Sequence, residues 1–194
     1  DAVMRDSVSA GILQAHGHAA DNLVAQARHH DVVVMGRPCN DDYLPDDMLS
    51  QVLVRGGQPM LLVPEYSSDT LLHRQMICWK DTTQAARALN AAMPLLRQAK
   101  HVILVCAAER HEAPKASLDA ALRHLAWHGI QAEVVAASAS GRTAMDCLSN
   151  TAVAQRIDLM IMGAYSRGAT RELVFGGCTQ EALSQCGLPV FITH

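Results

Sequence analysis

The chain contains the same short pattern twice, and this repetition restricts the folds open to it more than any other feature. Asp31–Gly36 and Asp158–Gly163 each consist of an aspartate, an apolar run and a final Met-Gly pair, and they lie 127 residues apart. Each is followed by a loop, a short helical pattern and a proline-led apolar run, at Pro59–Val63 and Pro189–Thr193. A period of this length indicates duplicated domains, because the repeats of solenoid proteins are much shorter.

Strand-like and helix-like patterns alternate through the second copy. Apolar residues recur at helical spacing in residues 84–99, where Pro94 predicts a kink, and Gly129 is suited to end a helix over residues 115–128. Apolar strands connected by amphipathic helices are typical of a parallel sheet covered on both faces. We therefore predict an α/β fold of the Rossmann-like, nucleotide-binding type, with a five-stranded parallel sheet, repeated in tandem. The strands are expected at Gln75–Trp79, Val102–Ala107, Ile130–Ala136, Leu159–Met162 and Val190–Thr193.

The two copies differ in completeness. We expect residues 1–66 to form the C-terminal half of a first domain, residues 67–73 a linker, and residues 74–194 a complete second domain. The first copy lacks its three earlier strands, which would leave an open apolar edge of a kind that natural proteins usually cover. The chain opens with Asp1 rather than Met, and we expect the missing strands upstream of residue 1. The alternative is that another chain supplies them.

Composition and motifs exclude several classes of protein. Hydrophobic residues make up 49% of the chain and charged residues 18%, which is typical of a soluble globular protein, and no apolar run approaches the roughly 20 residues that a membrane span needs. The net charge of -3 provides no general attraction to nucleic acid or to anionic membranes. The six cysteines are irregularly spaced and include no CxxC pair, which predicts neither a zinc site nor disulfides and favours the reducing cytoplasm. No recognised catalytic motif is present, so we predict that the protein is not an enzyme.

Two loops at strand ends carry a resemblance to a known family. The predicted fourth strand leads into Met162-Gly163-Ala-Tyr-Ser166-Arg167-Gly168, and Gly176-Gly177-Cys178-Thr179 follows after seven more residues. This spacing resembles the nucleotide motif G-x2-G-x9-G-(S/T) of the universal stress proteins. Cys78-Trp79-Lys80-Asp81 looks like the first strand of that family and its aspartate, and Leu188–Phe191 resembles the proline-led last strand. The resemblance implies an adenine nucleotide alpha hydrolase-like fold, a stress-response role, bound ATP or AMP with Mg, and a homodimer or an intramolecular pseudo-dimer.

The same loops supply the candidate binding residues. Gly176 and Gly177 allow close approach of the backbone and open a helix, whose first N–H groups and dipole favour phosphate. Gly177 stands where the family motif has Ser or Thr, and Thr179 is a substitute hydroxyl. Arg167 or Arg171 would add charge-assisted hydrogen bonds, and the resemblance implies that Asp81 accepts hydrogen bonds from ribose or adenine. The predicted cofactor-binding set is Trp79, Asp81, Met162, Gly163, Ser166, Arg167, Gly176, Gly177, Cys178 and Thr179.

Other interpretations remain open beside the nucleotide site. Ser166 replaces the second glycine of the motif, which favours a nucleotide-free interaction protein of the same fold, and a weak ATPase is a third alternative. The first copy has four aspartates within residues 36–47, where phosphate would lie, so it is predicted not to bind nucleotide. His124 and His128 are one helical turn apart but lack an evident third metal ligand, and we predict a surface pair.

Overall fold

A computed structural model of the chain describes residues 9–37, 47–65, 72–106, 115–137, 143–164, 177–184 and 186–194. Within these ranges the elements are α1 (Ala19–Ala27), β1 (Val33–Gly36), α2 (Met48–Arg55), β2 (Met60–Val63), β3 (Arg74–Cys78), α3 (Thr83–Ala91), α4 (Met93–Leu96), β4 (His101–Cys106), α5 (Lys115–Trp127), β5 (Ala132–Ala136), α6 (Ala144–Ala154), β6 (Leu159–Gly163), α7 (Gly177–Ser184) and β7 (Val190–Thr193). None of the helices in these ranges has both the length and the apolar character that a membrane crossing requires.

All the described strands form one sheet, in the order β1-β2-β7-β6-β3-β4-β5. The five strands from β7 to β5 in this order are parallel to one another, as predicted for the second copy. The prediction of a five-stranded sheet was nevertheless wrong, because the sheet has seven strands. Strand β2 pairs antiparallel with β7, placing Met60 opposite Ile192 and Leu62 opposite Val190. Every residue of β7 is buried, and this pairing removes an apolar edge that would otherwise face solvent.

Alternate residues of the central strands pack into two separate apolar layers, as expected when both faces of a sheet are covered. Met76 and Met160 belong to the layer between the sheet and α1, α2, α6 and α7. Ile77 and Ile161 belong to the layer beneath α3, α4 and α5. The prediction of helices on both faces is therefore confirmed.

Local sequence signals account for several element ends. Thr82 and Thr143 are the N-cap residues of α3 and α6, and the side chain of each accepts a hydrogen bond from a backbone N–H of the first turn. The kink predicted from Pro94 appears as a break between α3 and α4 at Ala92. Gly129 follows α5 with a φ of 75°, as predicted for a residue that ends a helix.

Strand β1 lies at one end of the sheet, and β2 is its neighbour there. The side chain of Val34 is 61% exposed, whereas Ile161, its counterpart 127 residues later, is 0% exposed. Ile161 is buried because β3 flanks its strand and α3 covers that face. Among the described elements, β1 has neither a flanking strand that corresponds to β3 nor a covering helix that corresponds to α3. The expected open apolar edge is thus observed in the described part of the chain, while the source of any covering strands stays a prediction.

Candidate functional site: the mouth between β3 and β6

The sheet has a topological switch point between β3 and β6. From β3 the chain continues through α3 to β4 on one side, whereas from β6 it continues through α7 to β7 on the other. The two strands are parallel and Cys78 lies opposite Met162, so their carboxyl ends meet at the same edge. Open α/β sheets bind ligands at such points. We call this site the mouth and define it as residues 79–82, 163–164 and 177–179.

Gly163 is a glycine for a reason of packing. A Cβ atom at this position would lie 2.5 Å from the carbonyl carbon of Gln84 and 2.6 Å from the backbone nitrogen of Ala85. The first turn of α3 therefore approaches the end of β6 more closely than a residue with a Cβ atom at position 163 would permit. Gly36, the counterpart in the first copy, would meet nothing within 4 Å, because no described helix stands over it. The sequence analysis placed Gly163 in a phosphate-binding loop and missed this contact with α3.

Trp79 and Asp81 follow β3 but differ in their surroundings. The Trp79 backbone N–H donates to Val105 at 2.7 Å, its indole Nε1 donates to Ser117 Oγ at 3.1 Å, and its ring packs against the apolar layer beneath α3–α5. Trp79 thus fixes α5 to the end of β3. Asp81 is exposed and immediately precedes the N-cap residue of α3, so its carboxylate is accessible at the mouth.

The first turn of α7 contains the other described candidates. Gly177 is exposed, Cys178 is half-buried against the core, and Thr179 is 5% exposed. The buried position of Thr179 means that its hydroxyl is not presented at the surface of the helix start. The remaining candidates, Ser166, Arg167 and Gly176, lie outside the described residues, as do three of the four aspartates of the first copy's loop, Asp41, Asp42 and Asp46.

Glu181 is a site residue that the sequence analysis missed. Its Oε1 atom lies 3.7 Å from the position that a Cβ atom of Gly177 would occupy, and its Oε2 accepts a hydrogen bond of 2.8 Å from Thr143 Oγ1. The carboxylate is therefore held at the starts of α6 and α7, where the helix dipole favours negative charge. The available signal was its spacing: Glu181 follows Gly177 by four residues and so lies on the same face of the helix.

The described charges around the mouth are mostly negative. Asp81, Asp146 and Glu181 lie at or beside it, against Lys80. Phosphate would be repelled there unless a cation accompanied it. No group of three or more metal-ligating side chains occurs among the described residues.

Cys78, Cys178 and Cys186 are far apart in sequence but pack in the same apolar layer, on the side of the sheet that α7 covers. Burial raises the pKa of the Cys78 thiol well above its usual value, and the neighbouring Cys178 and Cys186 raise it further. Cys78 is therefore a neutral thiol at physiological pH and a poor nucleophile. The irregular spacing of the cysteines gave no indication of this cluster.

Arg37 links the first copy to the helix of the mouth. It follows β1, and its guanidinium donates from Nε to the Leu183 carbonyl at 3.3 Å and from Nη2 to the Ala182 carbonyl at 3.2 Å. These acceptors belong to the last turn of α7, where a cation is favoured by the helix dipole. Burial lowers the pKa of Arg37, yet a guanidinium stays protonated in proteins.

Comparison with solved structures identifies this architecture. A universal stress protein from Archaeoglobus fulgidus superimposes with a TM-score of 0.73 at 16% identity, covering 90% of this chain and 66% of that one. A second from the same organism gives a TM-score of 0.51 at 20% identity and covers 63% of this chain and 98% of the other. A putative universal stress protein from Pseudomonas aeruginosa gives a TM-score of 0.53 at 14% identity. This match covers 88% of this chain and 66% of the other. No protein-family model and no curated protein sequence matches the chain.

The sheet, with its switch point between β3 and β6, defines an open, doubly wound α/β fold. Within that class the chain has the universal stress protein fold, and the resemblance predicted from the sequence is confirmed at the level of the fold. The chain spans about two thirds of the length of the first A. fulgidus structure.

Proposed function

We propose that this chain is a stress-response module of the universal stress type that binds an adenine nucleotide, ATP or AMP, at the mouth of its second copy. One observation carries the proposal: the exposed start of α7 at Gly177 follows β6, one of the two strands that flank the switch point. The first N–H groups of a helix have no partner within the helix and are suited to bind phosphate. Asp81, exposed at the end of the adjacent strand, would then accept hydrogen bonds from the nucleoside.

The domain organisation is part of the same proposal. The smaller A. fulgidus structure is covered almost completely by 63% of this chain, which supports a complete domain over residues 74–194. Residues 1–66 would be part of a first domain and residues 67–73 a linker. The pairing of β2 with β7 supports an intramolecular pseudo-dimer rather than a homodimer as the way the two copies associate. The proposed location is the cytoplasm, in keeping with the scattered cysteines.

Equilibrium binding of labelled ATP and AMP, each with Mg²⁺, tests the nucleotide proposal. Gly177→Asp should abolish binding, because it adds a carboxylate at the helix start in a position with room for a side chain. Glu181→Gln should strengthen binding several-fold, because it removes a negative charge beside the phosphates. Gly187→Asp is the matched control, since Gly187 is exposed, also has room for a side chain and lies beyond α7. Binding that is equally weak in all four proteins, or unchanged by Gly177→Asp, would contradict the proposal.

The position of Glu181 favours a second candidate function. A carboxylate already held at the start of α7 occupies the place of a phosphate, so the same fold would serve as a nucleotide-free interaction module. Mass spectrometry of the purified protein after denaturation separates the two candidates, because only the first predicts a co-purified adenine nucleotide. The third alternative, a weak ATPase, requires phosphate release above the rate of a blank without protein.

A further inference from the structure

A cavity lies at the opposite edge of the sheet from the mouth. It has a volume of about 350 Å³ and is located where α4 and α5 end and β4 and β5 begin. Its floor is apolar, formed by the buried side chains of Leu96, Val102 and Ile130. This volume suits a small-molecule ligand. We call this site the amino-edge cavity.

The rim of the amino-edge cavity is basic. Arg97, Lys100 and His128 line it, all three are exposed, and no carboxylate is among the lining residues that the structure describes. Within the described parts of the chain, the recorded ion pairs involve Asp21 and none involves these three side chains. Glu133 is the nearest acidic residue along β5, but strand alternation places it on the face of the sheet away from α5.

The polar atoms of the rim are mainly hydrogen-bond donors. Arg97 Nη2 lies 3.3 Å from His128 Nδ1, and because a guanidinium can only donate, Nδ1 accepts and the ring proton is assigned to Nε2. The other N–H groups of Arg97, the ammonium of Lys100 and the Nε2–H of His128 thus remain as donors beside an apolar floor. A site of this kind selects a compact oxyanion, and an arginine with a lysine suits the double charge of phosphate.

We propose that the amino-edge cavity binds a phosphate group, as inorganic phosphate or pyrophosphate or as part of a small phosphorylated molecule. The site is independent of the proposed nucleotide mouth. It lies at the start of β4 and β5, whereas the mouth lies at the carboxyl ends of β3 and β6.

A purely structural role for Arg97 and Lys100 is the main competing explanation, because positive charge is also favourable where helices end. Several carbonyls in the last turns of both helices are already bonded, however. Those of Leu95 and Leu96 accept from Gln98 and Ala99, and Leu125 accepts from Ile130, at 3.0–3.2 Å. The Arg97 guanidinium bonds to a histidine ring rather than to a helix carbonyl.

Titration of the ¹⁵N-labelled protein with inorganic pyrophosphate, followed by amide chemical shifts, tests this proposal. Saturable shifts are expected in residues 96–102 and 128–131. Arg97→Gln and Lys100→Gln should each weaken binding by about tenfold or more, since each removes a charge-assisted hydrogen bond. Arg123→Gln, which removes the same charge from an exposed position on α5 outside the cavity, should leave the affinity unchanged.

Several results would overturn the proposal. The absence of a saturable shift in the wild type would do so, as would an equal loss of affinity in Arg123→Gln. So would an Arg97→Gln protein that melts at a lower temperature but binds pyrophosphate normally, because the arginine would then only stabilise a helix end. Gly177→Asp separates this site from the mouth: it should abolish ATP binding there and leave the shifts in residues 96–102 unaltered.

Discussion

Replacement of Gly163 by alanine should destabilise the protein much more than the same replacement at Gly36. The two glycines end equivalent strands, 127 residues apart, and neither has a backbone angle that disfavours alanine. They differ in the space available. An added Cβ at position 163 would lie 2.5–2.7 Å from backbone atoms of Gln84 and Ala85, whereas at position 36 it would meet nothing within 4 Å.

The expected magnitude follows from the kind of atom that is approached. The atoms near Gly163 belong to the backbone of the first turn of α3, so relief requires a shift of the helix rather than a change of side-chain rotamer. Overpacking of this type typically costs about 1–3 kcal/mol. In a chain of this size each kcal/mol lowers the melting temperature by about 2–4 °C, so Gly163→Ala should melt about 2–12 °C below the wild type. Gly36→Ala should stay within about 0.5 kcal/mol of it.

Urea titration followed by far-UV circular dichroism measures both variants, and calorimetry provides the melting temperatures. The m-value should be the same in all three proteins, so that a change of midpoint reports stability alone. If Gly163→Ala is as stable as Gly36→Ala, the close approach of α3 to β6 is not a constraint and the packing explanation of Gly163 is wrong.

Three further perturbations test other features. Ile161→Ala should cost about 2–5 kcal/mol and Val34→Ala less than about 1, since only the first side chain is buried; equal urea midpoints would show that β1 is covered in solution. Arg37→Gln should lower the free energy of unfolding by about 1–2 kcal/mol, because it loses hydrogen bonds to the last turn of α7, whereas Arg28→Gln, at an exposed position, should leave the stability unchanged. An Arg37→Gln protein as stable as the wild type would show that this contact with α7 does not stabilise the fold. The raised pKa of Cys78 stabilises the fold below the ordinary thiol pKa of about 8.5, and this contribution is lost as pH rises toward the folded value. The urea midpoint should therefore fall more steeply above pH ~8.5 in the wild type than in Cys78→Ala, and parallel curves would refute the assignment.

The alternation of strands and helices could be predicted from the sequence because both periodicities are local. The break at Pro94 and the positive φ of Gly129 were predicted for the same reason, since each depends on the backbone of one residue. The antiparallel pairing of β2 with β7 could not be predicted in this way. Both strands are short and apolar, and their periodicity does not specify which edge they pair with or in which direction.

The site was predicted only in part, for a related reason. The order of the glycine loops indicated the switch point, and β3 and β6 are indeed neighbours. The motif described Gly163 and Gly177 as parts of a phosphate cradle, however, and gave no information on what packs around them. The contact of Gly163 with α3 and the return of Glu181 to the start of α7 depend on side chains and helices placed by the tertiary structure.

The antiparallel direction of β2 relative to β7 determines how short the connection from β2 to β3 can be. Because β2 runs against β7, its end reaches the edge at which β3 begins, two strands beyond β7. Three strand spacings amount to only about 14 Å, well within the reach of the ten residues between Val63 and Arg74. A tether of that length keeps the paired edges of β2 and β7 at a high effective concentration relative to each other. Dilution should therefore not separate them, and a cut within the tether would make their association depend on protein concentration.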